Sequence, residues 1–151
     1  PPLAGWRTSP RTRRTGWRSS GALRAAGKLA ELIRARPELL NQFHINSGEV
    51  AYLTEMRRLL PSAPLAYSAE GASIELVDRA ISLHARAVYL SLAELDHAIV
   101  DHAHDHGLRI TGWLADTEAD IRRALELGLD GITTDYPDVV RPVIDRLLTR
   151  A

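Results

Sequence analysis

Residues 107–137 read GLRITGWLADTEADIRRALELGLDGITTDYP, and the reading of this stretch decides the fold. Residues 108–114 are rich in strand formers. Thr117 stands where a helix N-cap belongs, and Asp120, three residues on, can complete a capping box. Ile121, Ala124 and Leu125 follow at helical spacing until Gly128, a natural residue just past a helix end. Residues 132–134 resume a strand. A connection of this length is no hairpin, so the two strands run parallel with a right-handed crossover. Their carboxyl ends, at residues 113–116 and 134–135, then emerge on one rim. In parallel α/β folds that rim holds the ligand.

Working outward, the same unit repeats in form though not in sequence. A helix is expected from Ser20, with Leu23, Ala26, Leu29, Ala30 and Ile33 on one face, stopping before Pro37. Residues 42–46 (QFHIN) form a short strand, and Ser47-Gly48 leads into a helix with Val50, Leu53, Met56, Leu59 and Leu60 inward. A second strand is expected over 64–67, then a helix capped by Ser73 with Ile74, Val77, Ile81 and His84 facing inward. Residues 87–90 give a third strand and residues 91–106 a helix. The last helix carries Val140, Val143, Ile144, Leu147 and Leu148. Strands thus recur about every 22 residues, a βα array preceded by one helix. Two architectures fit: a flavodoxin-like doubly wound sheet, or part of a (β/α)8 barrel that five units cannot close.

Composition bounds the rest. At 151 residues with 45% hydrophobic and 25% charged side chains, the chain is one globular domain. Nineteen basic residues balance nineteen acidic ones, so general attraction to nucleic acid or an anionic membrane is not expected. There is no cysteine, hence no disulfide or thiolate metal site, and no apolar run long enough to span a membrane. The compartment stays open, with the cytoplasm favoured. Residues 1–30 carry Arg7, Arg11, Arg13, Arg14, Arg18, Arg24 and Lys28 without one acid. Residues 1–20 are read as a basic, disordered leader and residues 21–151 as the domain; nucleic-acid binding or targeting by the leader is the alternative. A start at Pro1 instead of Met suggests a fragment or a processed product.

The run Gly128-Leu129-Asp130-Gly131-Ile132, the ending Thr134-Asp135-Tyr136-Pro137 and Trp113 before it, with His104 and Gly107-Leu108 leading in, resemble the carboxyl-terminal signature of the glycerophosphodiester phosphodiesterases. Upstream, residues 36–40 (RPELL) and the FHINS strand resemble the segment where that family places a Ser-Phe pair. The resemblance covers about residues 30–150. It implies the second half of a TIM barrel and the hydrolysis of glycerophosphodiesters to glycerol 3-phosphate and an alcohol, in lipid metabolism. It also implies a divalent cation, calcium or magnesium, held by carboxylates, with histidines as acid and base. The family's His-Arg-Gly and Glu-Asn-Thr motifs and its metal carboxylates belong to the first half, and none occurs here. The Ser-Phe pair is Ser47-Gly48, and the Thr-Val-Asn after the tryptophan is Leu114-Ala115-Asp116. The chain is therefore expected to hold no catalytic residue and no metal ligand, and to be inactive alone. It would contribute part of a site for a small glycerophosphodiester. A half-barrel would also associate through its exposed strand edges, with itself or with another chain.

Three residues are expected to contact substrate. Trp113 by resemblance lines the pocket, where a core tryptophan is the alternative. Asp135 is either a rim contact or the cap of the last helix. Ser47 faces the same choice, with capping of the helix from Glu49 favoured. Asp130 reads as a turn carboxylate bonded to backbone N–H groups. The run Asp101-His102-Ala103-His104-Asp105-His106 places two histidines four apart, a spacing that can chelate zinc or nickel. At a helix end it reads as a solvated terminus.

Overall fold

In the computed structural model, residues 15–149 are described, and strands and helices alternate along them. The order is α1 (Thr15–Ala35), a 3-10 turn (Pro37–Asn41), β1 (Ile45–Ser47), α2 (Val50–Leu59), β2 (Leu65–Ser68) and α3 (Ile74–Ser82). Then come β3 (Ala87–Ser91), α4 (His97–Asp105), β4 (Arg109–Trp113), α5 (Glu118–Glu126), β5 (Gly131–Thr133) and α6 (Pro137–Leu148). Of the leader read over residues 1–20, residues 1–14 lie outside the described residues, and residues 15–20 open α1. No helix among the described residues is long and apolar enough to cross a membrane.

All strand pairs are parallel and the sheet order is β1-β2-β3-β4-β5. This order decides between the two architectures. A doubly wound sheet reverses its strand order at a switch point, whereas a right-handed array that never reverses keeps its helices on one side, as a barrel does. The sheet is a five-stranded part of a TIM-like barrel, left open between β1 and β5 among the described residues.

Register sorts the strand residues into two faces. Ile45, Leu65, Tyr67, Val88, Leu90 and Ile110 face the helices and join Leu53, Met56, Val77, Val100 and Ala124 in one core. The opposite face carries Asn46, Ala66, Ser68, Ala87, Tyr89, Arg109, Thr111, Trp113 and Thr133. It is the concave, barrel-interior side, with Asn46, Arg109 and Thr133 exposed on it.

The capping box over Thr117 and Asp120 forms as expected: the Thr117 hydroxyl accepts from Asp120 N–H at 3.2 Å, and Asp120 accepts from Thr117 N–H at 3.0 Å. Gly128 ends α5 at φ +72°, where a side chain would be strained.

Four expectations are corrected. Helix α1 starts at Thr15, before Ser20, because nothing between Pro10 and Pro37 interrupts it. Strand β1 begins at Ile45, since Pro37 opens a 3-10 turn closed by Gln42 N–H on the Leu39 carbonyl. Helix α4 begins at His97, not residue 91. Asp96 caps it by accepting from Ile99 N–H, while Arg123 of α5 donates to the carbonyls of Leu92 and Leu95 and so satisfies the loop without a helical turn. His84 lies past the end of α3 at φ +51° and is exposed; Leu83 is buried in its place.

Candidate functional site

Five strand ends and the turns after them make the rim. The β1–α2 turn approaches the end of β2 so closely that a Cβ on Gly48 would lie 2.9 Å from the Ser68 carbonyl oxygen. Any side chain at this position would force backbone to shift, so glycine is a steric requirement of this rim. The Ser47 hydroxyl accepts from Glu49 N–H at 3.0 Å, an i to i+2 turn that sets the entry to α2. The N-cap of α2 is Glu49, without a side-chain bond. Ser47 shares the face of Ile45, toward the helices, and its neighbour Asn46 takes the concave face.

The β4–α5 and β5–α6 turns are tied through one carboxylate. Asp116 Oδ1 accepts from the Thr134 hydroxyl at 2.7 Å and from Asp135 N–H at 2.9 Å. Thr134 Oγ1 accepts in turn from Tyr136 N–H at 3.0 Å. Helix α6 is entered through Tyr136 and Pro137 with no side-chain cap, so the Asp135 carboxylate does not cap it and stands exposed at the rim. The Trp113–Leu114 peptide is cis.

Between these turns lies a cavity of about 920 Å³ lined by Asn46, Glu49, Tyr67, Glu70, Tyr89 and Trp113, with Gly48, Ser68, Ala69, Leu76, Leu114 and Thr133. Trp113 is partly exposed on its wall. Neither Ser47 nor Asp135 is among the lining residues. Asn46, Tyr67, Glu70 and Tyr89 were not singled out by sequence. The alternation within β1 and the two positions after β2 were the signals available for Asn46 and Glu70; nothing local marks the tyrosines, which are ordinary strand residues.

The opposite, amino-terminal end of the sheet is built for stability. Asp130 Oδ2 accepts from Ile110 N–H at 2.8 Å and meets His104 Nε2 at 3.1 Å, the turn role expected for it. Arg57 donates to the carbonyls of Pro61, Ala63 and His84, knitting two turns together. Burial, and then the nearby Arg86 charge, hold its pKa below the usual arginine value. His102 bonds Asp78 of α3 and His106 bonds the His102 carbonyl, so this pair is engaged in helix contacts.

Among the described residues, no three His, Cys, Asp or Glu side chains are arranged to hold a metal ion. The two carboxylates lining the cavity, Glu49 and Glu70, do not make the acidic set that a divalent cation requires. The residues present do not fit such a centre.

An unreversed parallel βα array with its cavity at the carboxyl rim is the architecture of part of a TIM barrel. The glycerophosphoryl diester phosphodiesterase family model matches residues 25–139, and the chain belongs to that family. Divalent metal ions are general in the family. The backbone is similar to a protein of Silicibacter pomeroyi assigned as a glycerophosphoryl diester phosphodiesterase, with a TM-score of 0.75 at 23% identity, covering 87% of this chain and 46% of that one. A glycerophosphodiester phosphodiesterase of Parabacteroides distasonis gives a TM-score of 0.72 at 18% identity, over 93% of this chain and 56% of that one. At such identities the likeness shows the fold. Among curated proteins, lysophospholipase D GDPD3 of Mus musculus is 33% identical over 49 residues, 32% of this chain and 15% of that protein. The chain spans about half the length of the solved structures it resembles.

Proposed function

We propose that this chain supplies the substrate-facing rim of a glycerophosphodiester phosphodiesterase barrel, acting in glycerophospholipid turnover, and that the acid–base and metal groups come from outside it. The cavity at the carboxyl ends of parallel strands, walled by Trp113, carries the reading. Hydrolysis of a glycerophosphodiester to glycerol 3-phosphate and an alcohol needs a proton donor to the leaving oxygen and a cation on the phosphate. The lining provides neither a histidine nor a metal-holding set. What it provides is binding: an aromatic wall at Trp113, an amide at Asn46, and a shape set by Ser47 through Glu49 and by Asp116 through the Asp135 backbone. Asp135, exposed on the rim outside the cavity lining, is the second polar contact we assign there.

Calorimetric titration with glycerol 3-phosphate tests this role. Weak saturable binding, in the millimolar range, is expected, and Trp113→Ala should weaken it by about tenfold, the loss of one aromatic contact. Undiminished binding by Trp113→Ala would remove the rim assignment.

A further inference from the structure

The concave face holds two cavities, and they differ in charge. The rim cavity is lined by Glu49 and Glu70 and by no lysine or arginine. A second cavity, of about 930 Å³, lies at the amino ends of the strands, and its lining includes Arg86 and Arg109. These arginines are neighbours on adjacent strands. Arg109, in register with Ala87, donates its backbone N–H to the Arg86 carbonyl at 3.0 Å. With strands about 4.8 Å apart and both side chains lining one cavity, one small anion can reach both guanidiniums.

Neither arginine is committed elsewhere by an ion pair. Arg57 holds three carbonyls and Arg123 two, whereas none of the ion pairs among the described residues uses Arg86 or Arg109. The other charged or titratable groups lining the cavity already have partners. Asp130 accepts from Ile110 N–H and meets His104, and His44 Nε2 lies 2.7 Å from the Tyr89 hydroxyl. The Arg86 charge also acts on Arg57, adding to the larger effect of burial that lowers its pKa. An anion beside Arg86 relieves that repulsion.

The donors select among anions. Each guanidinium is a planar fork of N–H groups that suits two oxygens at once. Two forks are matched by a tetrahedral dianion, which offers a different pair of oxygens to each, whereas a monocarboxylate has only two to share. Thr111, two residues after Arg109 on the same concave face, adds a hydroxyl, and Gln42 adds an amide. We propose that this amino-end cavity binds a phosphate dianion, free or as a monoester, between Arg86 and Arg109. No bond-breaking step is assigned to it. It lies at the opposite end of the sheet from the rim and does not rest on the rim reading.

Calorimetric titration of the full chain with sodium phosphate at constant ionic strength tests the site, with thermal unfolding by circular dichroism beside it. Saturable binding in the millimolar range is expected, and the unfolding midpoint should rise with phosphate but not with chloride of equal ionic strength. Arg86→Gln/Arg109→Gln should weaken binding at least about tenfold. Arg86→Lys/Arg109→Lys, which keeps the charges without the forks, should weaken it several-fold. Arg122→Gln/Arg141→Gln removes the same charge from exposed positions on α5 and α6 and should bind as the parent does. The unfolding transitions check that each variant is folded; if the double glutamine variant is not, Arg109→Gln alone, several-fold weaker, replaces it. Methyl phosphate binding as well as inorganic phosphate would assign the site to a monoester, and binding at least about tenfold weaker would assign it to the free ion. No saturable phosphate binding, full retention by the glutamine variant, an equal loss in the α5 and α6 variant, or equal competition by acetate would each overturn the proposal. Glycerol 3-phosphate carries the same dianion, so its titration repeated in the glutamine variant reads the rim alone. Failure of one site is thereby kept distinct from failure of the other.

Discussion

Asn46 and Ser47 differ by one step along β1, and that step moves a side chain from the barrel interior to the helix layer. The sequence offers the serine as a rim hydroxyl or, in preference, as the cap of α2. The pairing of Ile45 with Leu65 fixes the parity, however, and puts Asn46 on the concave face. Strand parity in a three-residue strand cannot be read from sequence, because so short a run shows no alternation. Trp113 was legible because its parity is set by a five-residue strand and by its place in a recognisable signature. Gly48 is the residue whose role is most directly testable for stability. Gly48→Ala drives a Cβ to 2.9 Å from the Ser68 carbonyl oxygen, and backbone on both sides must move. The expected cost is about 1–3 kcal/mol, seen as a lowered urea midpoint at unchanged m-value. An unchanged midpoint would mean that the turn and β2 separate freely.

At the scale of elements, most of the array was readable: each helix has an apolar face, a capping residue or a following glycine or proline. The miss at α4 came from tertiary contact. Residues 91–96 have helix-forming composition, but Arg123 bonds the carbonyls of Leu92 and Leu95 from a different helix, and no local pattern announces it. Helix α5 offers a pH-dependent test. A hydrogen bond from the Thr117 hydroxyl holds the Asp120 carboxyl below its ordinary value; burial opposes it, and the Thr117 and Asp116 backbone N–H groups add to the lowering. The folded pKa is thus lower than the unfolded one. The cap's stabilisation is complete above the unfolded value, near pH 4, and is lost as pH falls through the folded value. Thr117→Ala should cost about 1 kcal/mol at neutral pH. Asp120→Asn should flatten the stability curve below about pH 4 relative to the parent chain. Chemical denaturation across pH 2.5–7 reads both, and parallel curves for parent and Asp120→Asn would contradict the capping account.

The whole molecule is a sheet open along β1 and β5, with its interior face only partly covered among the described residues. Helix α6 repeats that theme: of its apolar residues only Val140 is buried, while Val139 is 56% and Leu148 59% exposed. These surfaces lie beside the β5 edge and match what a neighbouring βα unit covers in a closed barrel. They lead to the expectation that the isolated chain self-associates as concentration rises. Light scattering behind size exclusion should show mass increasing above that of a 16.7 kDa monomer, and Val139→Glu should reverse part of the increase. A strictly monomeric chain at high concentration would show that the exposed faces are tolerated alone. The sheet order was legible only as a choice between two architectures, because spacing sets the number of units and not their direction of winding. The family signature in residues 107–137 is what tilted it, and the unreversed order of five strands decides it.

We propose that a substrate rim is assembled here without the groups that break the phosphodiester. The most direct measurement is release of glycerol 3-phosphate from a glycerophosphodiester by the purified chain, with calcium or magnesium and with a chelator. No release above the buffer rate under either condition is the predicted result; turnover that the metal supports and the chelator abolishes would contradict it.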